Sequence, residues 1–186
     1  MNESTLTTFA GAVLAIILLV VALWLFVRWR RNANNDFKRL IRLVSIDRLE
    51  NVVIPDGVGG EIHLDHLLLT PHGLLLLETR DTQGAIFAGD RLDIWTATSD
   101  TARVTFDNPI PILQERAAAI GFLVTGVPIE ARVLFVNQVT FPKGHPAEVS
   151  TISALMDEYA SIRPGTRPRD FSEQWRTLVE RSRPFL

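Results

Sequence analysis

The chain has 186 residues, no cysteine and a formal net charge of −2. The lack of cysteine excludes disulfides and zinc-thiolate sites and fits a cytoplasmic compartment. Once a leading hydrophobic segment is set aside, the remaining length suits one domain with its own core rather than two.

Phe9 to Val27 is an unbroken apolar run. At about 1.5 Å of rise per residue it matches a hydrocarbon layer ~30 Å thick, so a transmembrane helix is expected. No Lys or Arg precedes the run and no small-x-small cleavage site follows it, which weighs against a signal peptide. Arg28, Arg30 and Arg31 follow immediately, while only Glu3 is charged before it. By the positive-inside rule the protein is expected at the cell membrane, single-pass, with its N-terminus outside and the remainder cytoplasmic. The expected organisation is an anchor with a basic juxtamembrane segment over 1–31, a main domain over 32–145 and a helical extension packed on it over 146–186.

Charge is uneven along this plan. Arg28 to Glu50 carries net +4, Asn51 to Ala160 net −8, and Ser161 to Leu186 net +3. A basic strip beside an apolar span suits anionic lipid headgroups as a partner. The acidic middle weighs against tight duplex binding, which draws most of its affinity from phosphate neutralisation.

Phe37, Leu40, Ile41 and Val44 recur at helical spacing, so Asp36 to Val44 is expected to be an amphipathic helix, capped by Asn35 or Asp36 and packed on a sheet. Asn51 to Pro55 reads as a strand and Asp56 to Gly60 as a loop. Gly59 to Arg80 then holds two apolar runs joined by Thr70-Pro71-His72-Gly73, the signature of a β-hairpin turn. With a loop of two or four residues, facing positions sum to 143, which sets Asp65 across from Glu78 and His63 across from Arg80 on one face. A three-residue loop with a bulge at Gly73 would shift the sum to 144 and separate the two acids. Two adjacent carboxylates repel unless a divalent cation converts the repulsion into coordination; the other reading is an internal ion cluster in which Arg80 neutralises them. His63 and His66 have opposite parity, so both are not expected on one ion.

Gly84 to Gly89 and Leu92 to Ala97 form a further short pair around Gly89-Asp90-Arg91, and Ala102 to Phe106 alternates like an outer strand. Asn108-Pro109 opens a helix to about Val124, with a buried stripe expected at Ile112, Leu113, Ala117, Ile120 and Leu123. Glu130 to Asn137 reads as a strand reached through that helical crossover, hence parallel to its neighbour in a mixed sheet. Ser150 is expected to cap a short helix. Asp170 to Glu173 opens a last helix with Phe171, Trp175, Leu178 and Val179 on one face. No Walker loop, GxGxxG, GxSxG or HExxH pattern is present.

Asp65 in IHLDH, Glu78-Thr79-Arg80 at a strand end, Gly84-Ala85-Ile86, Trp95, Asn108-Pro109 and Gln114 together resemble the nuclease-related domain, NERD, which is assigned to the restriction-endonuclease-like PD-(D/E)XK superfamily. The resemblance covers roughly Asp36 to Gln138. It implies an α/β fold: a restriction-endonuclease-like mixed sheet flanked by helices, here preceded by the transmembrane helix. It also implies Mg²⁺ or Mn²⁺ held by Asp65 and Glu78, with Asp36 or Glu61 as a third acid. Arg80 would stabilise charge where the family carries Lys, and Gln114 would act as an auxiliary near the scissile bond. Two functions follow as expectations. One is a membrane-tethered, metal-dependent phosphodiesterase acting on DNA or RNA. The other is an inactive scaffold that binds nucleic acid or a membrane or cytoplasmic protein.

Overall fold

The computed structural model describes residues 17–21, 23, 24, 35–161 and 170–185. The chain divides into two units, Met1–Asp36 and Phe37–Leu186. In the first, residues 17–21, 23 and 24 are helical, with exposed apolar side chains such as Leu19 and Trp24. The rest of the Phe9 to Val27 run lies outside the described residues. Among the described residues no helix is long and apolar enough to cross a membrane.

The second unit is mixed α/β, with two mixed sheets flanked by helices. Helix α1 occupies 35–44 and already includes Asn35 and Asp36, so neither is a non-helical cap in front of it. The strands are β1 (Asp47–Pro55), β2 (Glu61–Thr70), β3 (Gly73–Arg80), β4 (Gly84–Phe87), β5 (Ile94–Thr98) and β6 (Arg103–Asp107). After helix α2 (Ile110–Leu123) come β7 (Ile129–Phe135), β8 (Val139–Thr140) and β9 (Val149–Thr151). Helix α3 (Ile152–Ser161), helix α4 (Ser172–Arg181) and β10 (Arg183–Pro184) complete it. The large sheet has the order β10-β1-β2-β3-β7-β9, the small one β6-β5-β4-β8.

The hairpin turn has two residues. Thr70 pairs with Gly73, and the register runs to His66 opposite Leu77, so facing positions do sum to 143. Gly73 has φ 146° and donates no Cβ because Pro128 O occupies that space. The crossover through α2 returns β7 parallel to β3, as the spacing required. Both hairpin runs are continuously apolar because the sheet is covered on both faces. Leu67, Leu69, Leu74, Leu76, Val133 and Phe135 join one core with α2, α4 and the small sheet. Leu68, Leu75, Leu77 and Leu134 join the other, with Leu40, Ile41 and Val44 of α1 and Leu155 of α3.

Strict alternation fails at one place. Leu64 and Leu67 lie three apart yet share the first core, as do their β1 partners Val52 and Leu49. One residue too many is therefore accommodated in each strand, at Asn51 on β1 and at Asp65–His66 on β2, without a change of register. Asn51 takes this up with φ 51°, a left-handed conformation that asparagine tolerates better than most residues.

Three local expectations are corrected. Ile112 and Val179 are exposed, because the α2 stripe runs through Ile110, Leu113 and Ile120, and α4 rests on Trp175 and Leu178. Ser150 lies buried in β9; it is Thr151 Oγ1 that accepts from Ala154 N at 3.3 Å at the start of α3. Asp170 Oδ1 accepts from Ser172 N at 3.0 Å ahead of α4, and Trp175 Nε1 donates to Asp47 Oδ2 at 2.8 Å, tying that helix to β1.

Candidate functional site

The site lies where β2 and β3 part. Their ladder ends at His66 and Leu77, so Asp65 and Glu78 are not a hydrogen-bonding or facing pair in it. Instead Asp65 Oδ2 accepts from both the backbone N–H and the hydroxyl of Thr79, each at 3.1 Å. The carboxylate thus satisfies a β3 amide that the β2 backbone has moved away from. Its other oxygen lies 3.5 Å from His63 Nδ1.

Glu78 continues the parity of Leu74 and Leu76, which points it at α2. It is 4% exposed, a position a carboxylate holds only when paired. Arg80 Nη1 lies 2.9 Å from its Oε1. Arg116, from the middle of α2, closes on Oε2 as an ion pair. Those two charged atoms are in contact, and neither finds another partner among the described residues, while Arg116 Nε is buried without a hydrogen bond. Arg80 also donates to Thr79 O at 3.3 Å. Burial pulls the guanidinium pKa of both Arg80 and Arg116 downward, and the negative charge of Asp65 opposes it. Both stay cationic at neutral pH. Asp65, Glu78, Arg80 and Arg116 therefore make a four-member cluster with no net formal charge.

The other expected site residues fall elsewhere. Gln114 is exposed on α2 and makes no hydrogen bond to the cluster. Glu61 is exposed and engaged by Arg183, whose Nε lies 2.9 Å from its Oε1. Asp36 is exposed at the start of α1. His66 packs on the Phe37 ring, centroids 4.9 Å apart, on the α1 side of the sheet. Trp95 is fully buried and donates to Gly89 O at 3.1 Å, a core role. Among the described residues no three His, Asp or Glu side chains are grouped so as to hold a metal ion.

Arg116 is the residue that the sequence reading passed over. It falls three after Leu113 and four before Ile120, inside the buried stripe, where Ala117 was expected to fill the turn. A cation within an apolar stripe, on the helix that crosses a sheet bearing an inward Glu, is the signal that would have found it.

With this geometry in view, comparison against known families matches residues 30–136 to NERD, the nuclease-related domain. The match spans more than half of the chain, and the chain belongs to that family. No curated protein and no solved structure matches it.

Proposed function

We propose that this is a nuclease-related domain in which the ancestral acidic pair has become a closed ion cluster, and that it works as a binding or scaffold module rather than as a phosphodiesterase. The observation that carries the reading is Glu78, buried and faced on both carboxylate oxygens by arginines. A divalent ion at Glu78 would have to displace two guanidinium groups or sit beside them. Asp65 is similarly committed, to Thr79. The donor set fits Mg²⁺ or Mn²⁺ poorly. The apolar run Phe9 to Val27 and the arginines after it support a tether to the inner face of a membrane. Lipid is then the first partner, and a nucleic acid or protein ligand the second.

One observation favours the enzymatic reading that membership in the PD-(D/E)XK superfamily would bring. The negative charge of Asp65 opposes the burial-driven lowering of the pKa of both Arg80 and Arg116, the two arginines that pair with Glu78. Arg80, 30% exposed against 11% for Arg116, is the more accessible of the two cations of the cluster.

The deciding experiment incubates the full-length protein with single- and double-stranded DNA and RNA in Mg²⁺ or Mn²⁺, and records melting with and without each ion. The expected result is no cleavage and no ion-dependent shift. A site that binds only the folded state would give ~2.7 kcal/mol at 100 times Kd. Cleavage that disappears in Glu78→Gln would overturn the scaffold reading.

A further inference from the structure

Asn51 is oriented from outside the sheet core. Phe185 N donates to Asn51 O at 3.0 Å, and Asn51 Nδ2 donates to Phe185 O at 3.3 Å. The amide therefore presents Oδ1 to His63, whose Nε2 lies 2.8 Å away and must be the donor in that contact. This fixes the ring so that Nδ1 faces Asp65, and Asp65 in turn accepts from Thr79. The Phe185 ring covers the imidazole, centroids 4.5 Å apart. One and two residues further along β1, Val52 aligns with Pro184 and Val53 with Arg183. Arg183 reaches across to Glu61 on β2. Backbone ladder, acidic anchor and aromatic platform are together the elements by which a sheet edge takes up an extended peptide.

The occupant is held lightly. It pairs over two residues, its side chains are exposed, and its ion pair is a solvent-facing one of the kind that contributes little. We propose that the outer edge of β1 at Asn51 to Val53, with Glu61 and His63, is a docking slot for an extended Arg-Pro-aromatic strand. Residues 183–185 fill it as a latch, and its occupancy sets the His63–Asp65 pair and, through Asp65, the Thr79 amide. Docked, the latch covers His63 through the Phe185 ring. Released, it uncovers His63 and loosens Asp65 next to Arg80.

Amide hydrogen exchange on the full-length protein tests this, with the Phe185 amide reporting the latch, Thr79 the site and Leu76 the intact core. In Arg183→Glu, exchange at Phe185 and Thr79 is expected to rise together by about tenfold while Leu76 holds. Reversing the partner as well, in the double variant Glu61→Arg with Arg183→Glu, is expected to restore both. Phe185→Ala gives a milder release that leaves the ion pair in place, and should move the same two amides. Faster exchange at Phe185 with Thr79 unchanged overturns the coupling. A double variant that leaves Phe185 unprotected overturns the slot. Neither measurement involves metal or cleavage, so this proposal and the reading of the Glu78 cluster fail separately.

Discussion

Arg116 on α2 and Glu78 on β3 are ion-paired across the helix–sheet interface, with side chains 11% and 5% exposed. A carboxylate so deep in the sheet is stable only while its cations remain. Arg116→Met is accordingly expected to destabilise the fold by about 3 kcal/mol, since Glu78 would keep only the more exposed Arg80. Replacing both partners, in Glu78→Leu with Arg116→Leu, should recover most of that loss, because no buried charge is stranded. Urea unfolding of the two variants checks the order; a double variant no more stable than the single one would count against the pairing.

Arg80→Lys keeps the charge but replaces the guanidinium whose Nη1 contacts both Glu78 and Thr79 O with a shorter, point-charged ammonium. The expected outcome is a stability loss of ~1 to 3 kcal/mol with no metal-dependent cleavage. Melting and nuclease assays on this one variant settle it. Gain of cleavage at unchanged melting temperature would instead favour a weakened active site.

His66 is packed against Phe37, and burial pushes its pKa below the ordinary imidazole value, with Glu50 and Asp65 opposing and Arg48 adding to the decrease. A base with a depressed folded-state pKa stabilises the fold above its unfolded value of 6.5 and loses that contribution as pH falls below it. Stability should therefore drop on acidification from pH 6.5. His66→Phe should flatten that part of the curve, as read from melting temperature against pH.

At the alkaline end the relevant group is Tyr159, whose hydroxyl donates to Glu130 Oε2 at 3.4 Å. Burial, with the negative charge of Glu130, raises its pKa well above the ordinary value of 10.0. The unfolded chain loses the phenolic proton first, so the contribution is intact below pH 10 and declines as pH rises above it. Tyr159→Phe should remove this decline in the same measurement.

Gly73→Ala tests the hairpin. The residue has φ 146°, and an added Cβ would run into Pro128 O, which also accepts from Leu74 N at 2.8 Å. Both strain and lost strand contact follow, and a loss exceeding about 1 kcal/mol is expected in thermal unfolding.

The sequence by itself determined the hairpin and left two registers, because Thr70-Pro71-His72-Gly73 marks the turn between two leucine runs; the two-residue turn of the folded chain selects the pairing that sums to 143. It also determined that β7 would lie parallel to its neighbour, since a helix of that length between two strands returns the chain the same way. Glu78 and Arg80 were legible as a pair through the two-residue period of a strand. Tertiary structure decided the rest. Asp65 turns to Thr79 rather than facing Glu78 because β1 and β2 each absorb an extra residue, a matched irregularity that leaves the hydrophobic pattern short of a register change and is hard to see in one chain. Glu61 is taken by Arg183, and Glu78 by Arg116, from elements distant in sequence. Periodicity says which way a side chain points, but only the packing of one element on another says which charge it meets there.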